Sequence, residues 1–247
     1  MPNFIDGFME RIRLFTLPNL LTSLNLFCGC LACVEAFGRN YDLALLLVLL
    51  SAVFDFSDGL VARATKQYSA VGLQLDSLAD DISFGLVPSV VVFSLFNEMS
   101  YTGWAFALKD VIPYAAFLIS VFSALRLAKF NVDERQTASF VGLPTPANAL
   151  FWVALAAGSH AFVMEIGPLW TLLAVLVSSV LLVCELPMFA LKFKNLHWRD
   201  NMVRYVFIVT SLLLVIFFRT AGIALAICWY VALSVIVFLM KPRHVSH

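Results

Sequence analysis

A chain of 247 residues that is 62% hydrophobic and only 13% charged cannot be a water-soluble globule, because such proteins are typically about 45–50% apolar and about 25% charged. Its 16 basic and 16 acidic residues cancel to a net charge of +0, and the lysines and arginines are spread over short polar segments. No basic patch exists for a nucleic acid, and the composition is that of an integral membrane protein.

Residues 1–17 are too charged to span. Phe4, Ile5, Phe8, Ile12 and Phe15 recur at helical spacing with Asp6, Glu10, Arg11 and Arg13 between them, a pattern that predicts an amphipathic helix lying in the membrane interface. A span needs about 20 apolar residues, and the apolar runs place spans at 18–37, 42–62, 78–97, 111–130, 146–164, 168–191, 202–218 and 220–240. The stretch 168–191 contains Pro187 and is expected to kink or end early. The fold class is therefore all-α: a polytopic helical bundle of about eight transmembrane helices. With the N-terminus inside, every basic residue except Arg39, Lys109 and Arg219 faces the cytoplasm, and this bias puts both termini there. Cys28, Cys30, Cys33, Cys184 and Cys228 all fall in apolar runs without histidine at ligand spacing, and read as small buried hydrophobes. No cleavable leader is read at the N-terminus, since the first long apolar run starts late and lacks a small-residue cleavage pattern.

The second and third spans carry what composition does not explain. Between Asp55 and Asp80 lie Asp55, Asp58, Asp76 and Asp80, with Gly59, Ala62, Arg63 and Gly72 among them. A carboxylate at the centre of a spanning helix costs roughly 2.5–3.5 kcal/mol on insertion scales, so four together need a compensating partner. Asp55 and Asp58 are three residues apart and Asp76 and Asp80 four, so each pair occupies one face of its helix, one turn apart. The polar segment 64–71 turns the chain at the cytoplasmic side, and the resulting hairpin can bring both pairs into one acidic cup. Hard divalent cations with oxygen ligands, Mg²⁺ or Mn²⁺, would remove the mutual repulsion. Two such ions could hold a diphosphate and stabilise an in-line displacement. Gly59, Ala62 and Gly72 leave the cup side of each helix nearly free of side chain, which admits a flat base or a phosphate; helix–helix contact would favour the same residues. Arg63 suits a phosphate equally as it suits an anchor on the cytoplasmic side.

The string D-x₂-D-G-x₂-A-R-x₈-G-x₃-D-x₃-D, matched from Asp55 to Asp80 at every position, resembles the signature of the CDP-alcohol phosphatidyltransferase family. The resemblance implies one phosphatidyltransferase-type membrane domain over 18–247, usually dimeric, that moves a phosphatidyl group from a CDP-linked lipid to an alcohol and releases CMP. It implies that Asp55, Asp58, Asp76 and Asp80 hold Mg²⁺ or Mn²⁺, two ions together, with Asp80 also taking the alcohol's proton. Gly59, Ala62 and Gly72 would line the cytidine pocket and Arg63 would meet the phosphates. The segments 18–25, 126–131 and 142–147 resemble the branch of the family whose acceptor is L-serine. By that resemblance Asn19 and Thr22 approach the nucleotide, with helix capping as the other use of such residues. Serine brings a carboxylate that needs a cation, and Arg126 or Lys129 at the cytoplasmic end of the fourth span would supply it; the positive-inside rule alone also places basic residues there. The expected partners are CDP-diacylglycerol, L-serine, membrane lipids and a second copy of the chain, in a prokaryotic inner membrane with the cup facing the cytoplasm. Asp81 adds an acid beside Asp80, and Glu35, His160, Glu165 and Glu185 read as packing or interface residues. A sibling enzyme using glycerol 3-phosphate or an inositol phosphate is the nearest competing reading. A divalent-metal carrier is a more distant one, because the acids gather at one membrane face and form no path across.

Overall fold

A computed structural model describes residues 14–132, 140–189 and 197–240. The interfacial helix expected over 1–17 lies, up to residue 13, outside the described residues. Among the described residues eight α-helices are found: α1 (Leu17–Phe37), α2 (Tyr41–Thr65), α3 (Ala70–Asp80), α4 (Val87–Glu98), α5 (Leu118–Val132), α6 (Thr145–Val183), α7 (Trp198–Phe218) and α8 (Thr220–Met240). Seven helical stretches among the described residues are long and apolar enough to cross a membrane, with α3 and α4 joined into one of them over Ala70–Glu98.

Local chemistry sets the boundaries. Thr16 caps α1 by accepting from the Asn19 amide, with Pro18 in the first turn, where a missing N–H is harmless. Asn40 caps α2 in the same way through Leu43 N, and Lys66 closes it in the left-handed conformation at φ 55°. Ser69 caps α3 through Gly72 N at 2.9 Å. The third span thus begins at Ala70, ahead of the hydropathy-based start at 78, because a helix start is decided by its cap and not by where apolar density rises. Between α3 and α4 the chain makes a π-helical turn over Asp81–Leu86. Pro88 is the cause within reach: it cannot donate to the carbonyl of Phe84, and its ring crowds that carbonyl, so the ladder widens.

The stretch α6 is not one rod. Gly167 has φ 78° and ψ 179° inside it, and Pro168 follows. The indole N–H of Trp152 donates to Ser178 Oγ at 3.2 Å, and Leu143 N donates to Leu181 O at 2.8 Å. Residues so far apart along one straight helix would be tens of ångströms apart, so the arms 145–166 and 168–183 fold back on each other at Gly167. The second arm ends at Val183, ahead of Pro187, which instead sits in a two-residue strand, β2 (Pro187–Met188), paired antiparallel with β1 (Phe140–Val141).

The core is centred on α4, where Val87, Val91, Val92, Leu95 and Phe96 are fully buried, against Ala32 and Ala36 of α1, Ala44 and Val48 of α2, and Trp152 of α6. Small residues on α1 and α2 let these helices approach closely, the usual route to tight packing in lipid. At the end of the bundle away from Asp55, Glu98 accepts from the Tyr41 hydroxyl and lies 3.1 Å from His160 Nε2 and 3.9 Å from Arg39 Nε. That group ties α2, α4 and α6 together and gives His160 its partner. Glu35 accepts from Asn40 Nδ2 at 2.9 Å. Cys28 is buried as expected, whereas Cys30 and Cys228 point outward from the bundle, where lipid offers a small apolar side chain the same environment as a core.

Candidate active site

The hairpin of α2 and α3 brings Asp55, Asp76 and Asp80 together, with one carboxylate oxygen of each within 4.8 Å of the other two. Among the described residues this is the one group of three or more potential ligands so arranged. At that separation two carboxylates repel by about 3–4 kcal/mol at an effective dielectric near 20. Asp76 Oδ1 is buried and has no hydrogen-bond partner, an arrangement that is costly unless a cation or donor completes it. Three hard oxygen donors at this spacing fit Mg²⁺ or Mn²⁺ and not a thiolate-seeking metal. Asp58 stands beside the triad, not within it. Its charge is felt at Asp55, Asp76 and Asp80, and its Oδ2 accepts the hydroxyl of Thr22.

Next to the acids opens a cleft of about 470 Å³, lined by Asn19 and Thr22 of α1, Asp58, Gly59 and Ala62 of α2, and Gly72 and Asp76 of α3. Such a volume lies within the range of small-molecule sites. Gly72 allows a close approach of side chains to α3: a Cβ there would sit 3.0 Å from both Asn19 Oδ1 and Ser69 Oγ. Asn19 Nδ2 donates to Leu14 O at 3.0 Å, so its amide is oriented before any ligand arrives. Arg63 is exposed and lays its guanidinium against Gly59, Nη1 being 3.5 Å from where a Cβ would stand. The residues expected at a nucleotide pocket are thus brought together, with Arg63 at their edge.

Arg126 of α5 is buried, its charge interacts with Asp80 and Tyr230, and its Nε has no hydrogen-bond partner. Lys129, one turn on, is partly exposed and forms an ion pair with Glu185 at 3.3 Å. The two basic residues at this helix end therefore have different surroundings. The sequence does not display Glu185 as the partner of Lys129, since the two are joined only by the fold-back of α6.

One residue escapes the sequence reading. Asn25 of α1 is fully buried and donates from Nδ2 to Asp80 Oδ1 at 3.1 Å. A signal existed, because Asn19, Thr22 and Asn25 recur every three residues and so share a face of α1. Asp81 is not part of the triad: its Oδ1 is buried without a partner and lies against Gly85 in the π-turn.

A model of the family described as CDP-alcohol phosphatidyltransferase matches residues 15–191. The chain is 37% identical over 142 residues to a CDP-diacylglycerol–serine O-phosphatidyltransferase of Helicobacter pylori (strain ATCC 700392 / 26695), covering 57% of this chain and 56% of that protein. It is 30% identical over 151 residues to the protein of that name from Bacillus subtilis (strain 168), covering 61% of this chain and 81% of that one. To the Mycobacterium bovis (strain ATCC BAA-935 / AF2122/97) protein of that name it is 32% identical over 190 residues, covering 72% and 62%. The chain thus spans a little over half the length of the Helicobacter relative and most of the Bacillus one.

Proposed function

The chain belongs to the CDP-alcohol phosphatidyltransferase family, and from that membership and the acidic cup we propose that it transfers the phosphatidyl group of CDP-diacylglycerol to the hydroxyl of L-serine, giving phosphatidylserine and CMP. The observation that carries this reading is the convergence of Asp55, Asp76 and Asp80 beside a cleft walled by Asn19, Thr22, Gly59, Ala62 and Gly72. A triad of acids alone would suit many metal sites. A triad opening on a cleft that Gly59, Ala62 and Gly72 help to line suits a nucleotide diphosphate. The names carried by the relatives supply serine as the acceptor.

In this reading the cytidine end of the lipid lies in the cleft against Gly59, Ala62 and Gly72, while Asn19 and Thr22 contact it from α1. Arg63 meets the phosphates from the edge. Asp55, Asp58, Asp76 and Asp80 would hold Mg²⁺ or Mn²⁺, as one ion or two, which when bound neutralises the diphosphate and polarises the phosphorus to be attacked. Arg126 receives the serine carboxylate, with Lys129 adding positive charge at the same end of α5. Asp80 accepts the proton of the serine hydroxyl as its oxygen bonds to the phosphatidyl phosphorus. The bond from that phosphorus to CMP breaks, and the electron pair leaves with CMP. The acyl chains remain among the lipids around the bundle. The cup faces the cytoplasm of a prokaryotic inner membrane, the chain spans eight times with each arm of α6 crossing, and the protein works as a homodimer.

The test is CMP release by the purified protein with CDP-diacylglycerol, Mg²⁺ or Mn²⁺, and a panel of alcohols. Serine-dependent release supports the proposal. Release with glycerol 3-phosphate or an inositol phosphate, and not with serine, assigns the chain to a sibling activity. Silence with every alcohol, alongside retained metal binding, favours a metal carrier.

A further inference from the structure

Asn25 sits where three elements meet. Its side-chain amide donates to Asp80 Oδ1 at 3.1 Å. Its main-chain carbonyl accepts from two hydroxyls at 3.1 Å each: Ser51 of α2, one turn before Asp55, and Ser83 of the π-turn, three residues past Asp80. All three residues are fully buried. The approach of Ser83 depends on Gly29, one turn along α1, where any Cβ would collide with the Ser83 hydroxyl and lie 3.0 Å from its Cα. Residue 25 is thus fastened to the helix that carries Asp55 and to the turn that follows Asp80, and from that anchor it grips Asp80 directly.

We infer that Asn25 is the positioning residue of Asp80, rotating and holding its carboxylate so that one oxygen is committed to α1 and the other faces the acceptor. This rests on the transferase reading above. The physical need is specific. Asp80 shares its surroundings with Asp55 and Asp76, and like charges push such carboxylates apart. A neutral donor on the neighbouring helix opposes that movement without adding charge to the cup, which neither a lysine nor an arginine would do. A side-chain amide donates while staying neutral, so it grips a carboxylate without changing the charge around it. The carbonyl grip by Ser51 and Ser83 keeps the donor itself from swinging with α1. Outer-shell partners of this kind are typically worth 10–100-fold in activity.

The test compares the wild type with Asn25→Leu, which keeps nearly the same shape, adds no charge and removes the donor, and with Asn25→Ala, which removes the side chain. Each is measured for CMP release with serine at saturating Mn²⁺ and, separately, for binding of CDP-diacylglycerol in the absence of serine. The expected result is a kcat per lipid-binding site lowered roughly 10–100-fold in both, with KM for CDP-diacylglycerol unchanged. Two results overturn the inference. One is an unchanged kcat per binding site. The other is loss of lipid binding in parallel with activity in both variants, which marks a packing role. A wild type that releases no CMP with serine overturns the transferase reading itself and is recognised before any variant is compared.

Discussion

Thr22 on α1 donates its hydroxyl to Oδ2 of Asp58 on α2, joining the helix that enters the cleft to the helix that carries half of the acids. The bond holds Asp58 from α1, as the Asn25 amide on the same helix holds Asp80. Because Thr22 is also a wall of the cleft, the same side chain orders an acid and lines the cleft.

Replacing Thr22 by valine keeps the volume and removes the donor. A hydrogen bond to a charged group is worth about 1.5–3 kcal/mol, so KM for CDP-diacylglycerol should rise by roughly 10–100-fold, with the folded protein intact by thermal melting. An unchanged KM would disconnect Asp58 from lipid binding.

Asp80→Asn removes the proposed acceptor of the serine proton and preserves the size of the side chain. Transfer should fall by roughly 10²–10⁴-fold, the typical contribution of a positioned base, while binding of CDP-diacylglycerol persists. Full turnover in this variant would remove Asp80 from the proton step.

The triad predicts a strict dependence on a divalent ion. Stripping the protein with a chelator should abolish CMP release, and added Mn²⁺ or Mg²⁺ should restore it. Asp55→Asn should shift the Mn²⁺ concentration needed for half-maximal activity upward by about tenfold or more, since it deletes one of three converging donors. If that variant titrates with Mn²⁺ as the wild type does, the ion is not held where the three carboxylates converge.

Arg126→Met keeps a long side chain in a buried place and deletes the charge beside Asp80. With a serine carboxylate as its partner, KM for serine should rise roughly 10–100-fold, and KM for CDP-diacylglycerol should stay put. Kinetics with both substrates varied separate these two effects. Equal changes in both KM values would place Arg126 in general support of the cup.

The fold-back of α6 gives a prediction for stability. Gly142 has φ 78°, and a Cβ there would lie 2.6 Å from Leu182 O at the end of the second arm. Gly142→Ala meets both backbone strain and collision, and should cost about 1–3 kcal/mol or more. A lowered melting temperature in detergent, together with faster proteolysis at the 140–144 segment, would register it.

The acidic pairs were legible because helical spacing is a local rule: residues three and four apart share a face whatever surrounds them. For the same reason the spans expected at 18–37, 42–62 and 220–240 are found at Leu17–Phe37, Tyr41–Thr65 and Thr220–Met240. Gly59, Ala62 and Gly72 could be singled out by their smallness beside acids, and the cleft does pass along them.

Other features depended on contacts between distant parts of the chain. Asn25 meets Asp80 across 55 positions and Thr22 meets Asp58 across 36, and an asparagine or threonine in an apolar run looks the same whether it caps, packs or grips. Lys129 and Arg126 share a helix end, yet one pairs with Glu185 while the other stays buried beside Asp80. Nothing in the order of residues separates those fates.

The chain alone therefore determined the solvent it lives in, where several of its apolar segments run, and which acids share a helical face, since each follows from composition or from a period of 3.6. The tertiary structure alone decided that three of the four acids converge, that Thr22 holds the fourth, and that α6 doubles back at Gly167. Those outcomes follow from how helices pack and where a backbone can reverse, and packing is set by surfaces that meet only once the chain has folded.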